Sequence, residues 1–122
     1  MKGKNRSIGV VCILLALLVV FTASAYAGDD PYATIANQVR ADSMVYPQPT
    51  NVEIFRSPVF GIGPGHYRSY AWALLWRPGY GDIVQITVPE TGASYFYSNR
   101  YLNRDLAWAL ARSAELDQYE NP

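Results

Sequence analysis

Apolar residues in this chain recur at distinct spacings, and each spacing predicts a different element. From Tyr70 to Trp76 the large side chains Tyr70, Trp72, Leu74 and Trp76 alternate with Ala71, Ala73 and Leu75, the period of two that gives a strand one packed face. Ile83 to Val88 is mostly β-branched and follows the turn-forming run Pro78, Gly79, Tyr80, Gly81, Asp82. These two arms predict a β-hairpin with its turn at Arg77 to Asp82, around which the rest of the chain is expected to be organised. The same stretch also carries a helical spacing, with Tyr67, Tyr70, Ala71, Leu74 and Leu75 at i, i+3, i+4, i+7 and i+8. The turn and the β-branched second arm make the hairpin the more economical reading.

Upstream, Asp30 followed by Pro31 reads as a helix start, and the helix is expected to run to about Met44. Tyr32, Ile35, Ala36, Val39 and Ser43 share its apolar face, with Gln38 and Arg40 turned away. Pro47 and Pro49 make Val45 to Asn51 an extended connection. Val52 to Arg56 is a candidate first strand ended by Pro58. Downstream, Pro89 to Gly92 is a turn. Ala93 to Ser98 is a last strand with Tyr95 and Tyr97 on one face and Phe96 on the other. Ser98 or Asn99 then caps a helix from Arg100 to about Leu116, whose docking arc is Leu102, Leu106, Ala109, Leu110, Ser113 and Leu116. Asp117 to Pro122 is expected to fray. The order predicts an α+β fold, a small two-layer sandwich of a three- to four-stranded antiparallel sheet with an N-terminal and a C-terminal helix on one face.

The N-terminal pattern changes where this domain is expected to begin. Lys2, Lys4 and Arg6 precede an apolar core from Ile8 to Phe21, and Ala25 and Ala27 give an Ala-x-Ala site before Gly28. A cut after Ala25 would use Ala23 and Ala25 in the same way. Residues 1–27 therefore read as a secretory signal peptide and 28–122 as a single small globular domain, exported to a periplasm or outside the cell. Cys12 lies within the apolar core and lacks the small preceding residue of a lipid-attachment site.

After that cleavage no cysteine remains, so packing rather than disulfides must hold the domain. Nine Tyr, three Trp and three Phe make this feasible. Seven arginines and no lysine stand against ten acids, a net charge of −3 that argues against general binding to nucleic acid or, once the signal is removed, to anionic membrane.

Catalytic signatures are absent from the pattern. Phe60 to His66 places Gly61, Gly63 and Gly65 at alternate positions, but neither a Gly-Lys-Ser/Thr ending nor G-x-G-x-x-G follows, so no cofactor is expected. His66 is the single histidine; Ser57, Ser69, Ser94 and Ser98 are available nucleophiles and Asp82 or Asp105 orienting acids, without nucleophile-elbow spacing. One histidine and, after cleavage, no cysteine leave the ligands of a zinc site nearly absent, and Glu115, Asp117 and Glu120 match no calcium loop and read as a solvated tail, so no metal is expected. The strongest constellation is the glycine loop with its aromatic and arginine neighbours: Gly61, Gly63, Gly65, His66, Tyr67, Arg68 and Arg77. It suggests a binding or accessory module for an envelope protein or a cell-wall or surface polysaccharide. An inhibitor or immunity-type protein blocking an enzyme of that compartment is the alternative, and a small hydrolase using His66 the third reading.

Overall fold

The computed structural model describes residues 30–120. Helix α1 (Pro31–Val45) leads to a short strand β1 (Thr50–Asn51) and two 3-10 turns, Val52–Arg56 and Pro58–Phe60. Helix α2 (Tyr67–Leu74), strands β2 (Ile83–Thr87) and β3 (Ser94–Ser98), and helix α3 (Arg104–Glu120) follow. The protein is α+β, with one antiparallel sheet in the order β1-β3-β2. The expected signal peptide lies outside the described residues. Among those residues, no helix is long and apolar enough to cross a membrane.

The start of α1 follows from its sequence: the Asp30 carboxylate accepts the Tyr32 amide at 2.9 Å, and Pro31 occupies the first turn, where an amide donor is not needed. Ile35, Ala36, Val39 and Ser43 are fully buried, as their spacing predicts. The strand at Ser94–Ser98 also forms as expected. Phe96 packs with Ile35, Ala36, Val39 and Ile83 on one face, whereas Tyr95 and Tyr97 join Ile86, Val88, Ala107 and Ala111 on the other. The two terminal helices thus cover opposite faces of the sheet rather than sharing one, and each face has its own core.

The central hairpin is where the structure departs from expectation. Tyr70 to Trp76 does not pair with Ile83 to Val88; residues 67–74 are helical, with Tyr67, Ala71 and Leu74 buried at i, i+4 and i+7. The hairpin is formed instead by β2 and β3, in register Gln85 with Phe96, across a turn in which the Gly92 amide donates to the Val88 carbonyl at 2.7 Å with Gly92 at φ 77°. The other edge of β3 is taken by β1, Thr50 opposite Phe96, so the three-stranded sheet is complete without the 70–76 segment. The expected strand at Val52–Arg56 is a 3-10 turn started by the Asn51 side chain, which accepts the Glu53 amide at 2.9 Å and ends the strand there.

The C-terminal helix starts four residues later than expected. Ser98 Oγ accepts the Arg100 amide at 3.4 Å while donating to Asp82 at 2.6 Å, but only a turn follows, its carbonyl accepting the Tyr101 and Leu102 amides; the helix begins after Asn103, whose side chain accepts the Leu106 amide at 3.0 Å. The docking stripe is consequently Ala107, Ala111 and Glu115, while Leu106 is 48% exposed. Two alanines allow close approach to the sheet, and the buried Glu115 carboxylate accepts the Tyr95 hydroxyl at 2.6 Å. Burial first, and then this bond, raise the Tyr95 pKa above its ordinary range. The helix also continues past Asp117 to Glu120.

Asp82 gathers the elements. Its carboxylate accepts the Arg40 guanidinium through Nε at 2.9 Å and Nη2 at 2.6 Å, and also the Ser98 hydroxyl, while Arg100 Nε stands 3.8 Å away. Its carbonyl accepts the Asn99 amide at 2.8 Å, and Arg40 also donates to the Gly79 carbonyl at 3.0 Å. Arg40, expected to face away, therefore ties α1 to both ends of the hairpin. The hydrogen bonds from Arg40, opposed by burial and helped by Ser98, hold Asp82 at a pKa of about 2, below its ordinary 3.8.

The unfolded chain therefore takes up the Asp82 proton first as pH falls. Stability from this carboxylate should be fully present above about pH 4 and lost between about pH 4 and 2, roughly 2 kcal/mol in all. Denaturant unfolding measured across pH should show this loss, and Asp82→Asn should flatten it while lowering stability at neutral pH by about 3 kcal/mol. On the other face, Tyr95→Phe leaves the buried Glu115 without its donor, and urea unfolding should record a cost of about 1–3 kcal/mol.

Candidate functional site

The glycine-rich stretch folds back on itself before α2. Gly61, at φ 69°, closes the 3-10 turn by donating to the Pro58 carbonyl at 3.0 Å, and Gly63, at φ 98°, accepts the His66 amide at 3.2 Å. Both angles disfavour side chains, so these two glycines shape the loop. Gly65 has no such angle, and a methyl there would meet nothing within 4 Å. It borders a hollow of about 310 Å³ lined with Arg56, Pro64, Tyr67 and Arg68.

Beneath that hollow lies a small ionic network. The Tyr67 hydroxyl donates to Glu53 Oε1 at 2.5 Å, and Arg68 donates to Glu53 Oε2 from Nη2 at 2.9 Å and Nε at 3.2 Å. The Arg68 guanidinium also sits 5.7 Å from the centre of the Tyr67 ring. Glu53 is held below the ordinary carboxylate range, first by the Tyr67 hydroxyl and then by Arg68. Arg68 stands in the first turn of α2, and the network fixes its side chain because both partners are themselves anchored: Tyr67 in the core and Glu53 in the 3-10 turn after β1.

Arg68 and Glu53 also line a second hollow, of about 370 Å³, with Val52, Trp72, Thr91, Gly92, Ala93 and Ser94. Trp72 is 39% exposed and its ring lies edge-on to the fully buried Phe96, 5.9 Å between centroids. Thr91 Oγ1 accepts the Ala93 amide at 3.3 Å, which leaves the hydroxyl proton for another acceptor.

The structure thus brings Gly65, Tyr67 and Arg68 together as the sequence implied. Gly61 and Gly63 shape the loop and line neither of these two hollows. His66 is exposed at the N-terminal end of α2, and its side chain makes no capping hydrogen bond. Arg77 is elsewhere: it stacks 4.0 Å from the Tyr32 ring at the start of α1, and Tyr32 meets Tyr70 edge-on. The expected row of Tyr70, Trp72 and Trp76 is dispersed by the helical turn, leaving Trp76 86% exposed. Ser98 and Asp82, named as nucleophile and acid, are buried together and serve the hub. Trp72, part of that expected row beside Arg68, remains its neighbour at i+4 on α2, whereas sequence reasoning missed Glu53, Arg56 and Thr91, since only the fold brings their segments to Arg68.

The family model of the YdhW C-terminal domain matches residues 29–119. The chain belongs to this family. It is similar to "Uncharacterized protein YdhW" of Escherichia coli (strain K12), with 27% identity over 88 residues that cover 72% of this chain and 40% of that relative. The chain therefore spans about two-fifths of the relative's length. No solved structure matches. The family match takes in both hollows and the Asp82 hub, so the site is built wholly within the shared domain.

Two residues adjacent in sequence should respond differently to truncation. Tyr67 is buried and holds Glu53, so Tyr67→Ala should cost roughly 3 kcal/mol in chemical denaturation. Arg68 is exposed, and Arg68→Ala should leave the melting temperature nearly unchanged.

Proposed function

We propose that this protein is a small exported binding module that holds an envelope component at the hollow beside its glycine-rich loop. Export rests on the N-terminal charge, apolar core and Ala-x-Ala pattern. Binding rests on one observation: the hollow of about 310 Å³ is bounded by two arginines, a tyrosine and an open glycine, and one of those arginines is already oriented by Glu53 and Tyr67. Orientation before binding lowers the entropic cost of contact. Arginine and tyrosine are the side chains that most often dominate recognition surfaces.

Arg56 supplies the available charge. It lies at the end of the 3-10 turn and, among the described residues, forms no salt bridge, whereas Arg68 is paired with Glu53. His66 stands beside this hollow without a hydrogen-bonded carboxylate or hydroxyl among the described residues, so the geometry favours holding a ligand over cleaving one.

The immobilised full chain should retain a component of its own envelope fraction. Arg56→Ala and Gly65→Ala should each reduce that retention by about tenfold or more without a change in melting temperature. Gly65→Ala is informative because the added methyl meets only open space and demands no unusual backbone angle. Retention unchanged in both variants would remove this hollow as the binding site.

A further inference from the structure

The two hollows flank one side chain. Arg68 lines both, with Glu53 bridging it on the same side, so together they form one continuous recognition surface with two different chemistries. At one end are Arg56, Arg68 and the Gly65 backbone, where a single carboxylate, Glu53, offsets two guanidinium groups. At the other end the Trp72 indole, 39% exposed, is fringed by Thr91, Ser94, Glu53 and the backbone of Gly92 and Ala93.

The second end has the composition that a pyranose ring requires. Its C–H groups pack on an electron-rich aromatic face, and its hydroxyls need both donors and acceptors at the margin. Trp72 provides the face, and its position is set by contact with the buried Phe96. Thr91 has its proton to donate, and Glu53 has acceptor capacity beyond its bonds to Tyr67 and Arg68. A chain of sugars lying across this surface would carry the next unit past Arg68 to Arg56. There Arg56 can present its guanidinium fork and Arg68, whose Nε and Nη2 face Glu53, adds its remaining Nη1 donor, so the excess of positive charge selects a unit bearing a carboxylate. The net charge of −3 over residues 28–122 as a whole restricts this attraction to the local site and disfavours nonspecific adhesion to polyanions.

We infer that the ligand is an acidic polysaccharide, with one sugar ring seated on Trp72 and a neighbouring carboxylate held by Arg56 and Arg68. This rests on the binding reading above and narrows it to one ligand class. The test is calorimetric titration of the purified full chain with oligomers of galacturonic, glucuronic and mannuronic acid. Each is paired with its methyl ester, which keeps the sugar and removes the charge. Binding of at least one acidic oligomer is expected, about tenfold weaker for its ester and for Arg56→Ala, with a strong fall at higher salt. Trp72→Ala should abolish it; because Trp72 also touches Phe96, Trp72→Phe, which keeps a ring, should bind at an intermediate level at unchanged melting temperature. Equal binding of acid and ester would overturn the assignment of the carboxylate. Binding to none of the oligomers, while an envelope protein is still retained through Arg56, would overturn the polysaccharide and leave the binding module standing. Failure of both would remove the module as well.

Discussion

A carboxylate withdrawn from water must find partners inside the fold, and at Asp82 that requirement joins segments from most of the described chain. The side chain is almost fully buried and is satisfied by a two-pronged Arg40 and by Ser98. Arg40 brings α1 across the sheet; Ser98 brings the end of β3; the Asp82 backbone holds Asn99 and so directs the chain toward α3. Desolvation makes each of these bonds costly to lose, since removing one partner strands the others in a poorly polarisable setting. The candidate site depends on the same hub at one remove. With α1 fixed, α2 packs against it through Tyr32 and Tyr70, and α2 in turn sets Tyr67, Arg68 and Trp72.

Legibility in the sequence followed how local each determinant was. The cap at Asp30, the buried face of α1 and the alternation of Tyr95, Phe96 and Tyr97 are decided within a few residues, and they were readable. The segment at 67–76 was ambiguous on local grounds because Ala and Leu spaced for a helix also alternate with larger residues. The helix buries Tyr67, Ala71 and Leu74 against the α1 side of the core, and the outer edge of β2 stays without a strand among the described residues. Arg40 was misplaced because a helical projection treats a long arginine as pointing radially, whereas its stem can lie along the protein and deliver its charge elsewhere. Glu115 illustrates the same limit for acids, since nothing near it in sequence announces that Tyr95 will meet it.

For the site, the glycine loop and its neighbours Tyr67 and Arg68 were visible as composition, and the fold gathers part of that group. Arg77 was included on proximity to an expected hairpin; once residues 67–74 are helical, it is carried to the far end of α2 and onto Tyr32. Glu53 and Arg56 lay in a stretch read as a strand, which would have sent alternate side chains to opposite faces. The tighter 3-10 turn instead places both beside α2, where Glu53 bonds Tyr67 and Arg56 shares a hollow with it.

The pairing of Thr50 with Phe96 also has a kinetic meaning. Strands β2 and β3 meet across a short turn, but β1 reaches β3 only after the chain between them has been closed into a long loop, at an entropic cost the hairpin does not bear. Two residues of pairing return little against that cost; what holds β1 in place is the burial of Thr50 and Val52 and the Thr50 hydroxyl, which donates to Asp42 at 2.6 Å. Glu53 and Arg56 ride directly behind it. Occupancy of the proposed binding surface beside them would therefore register as slower exchange of the β1 amides.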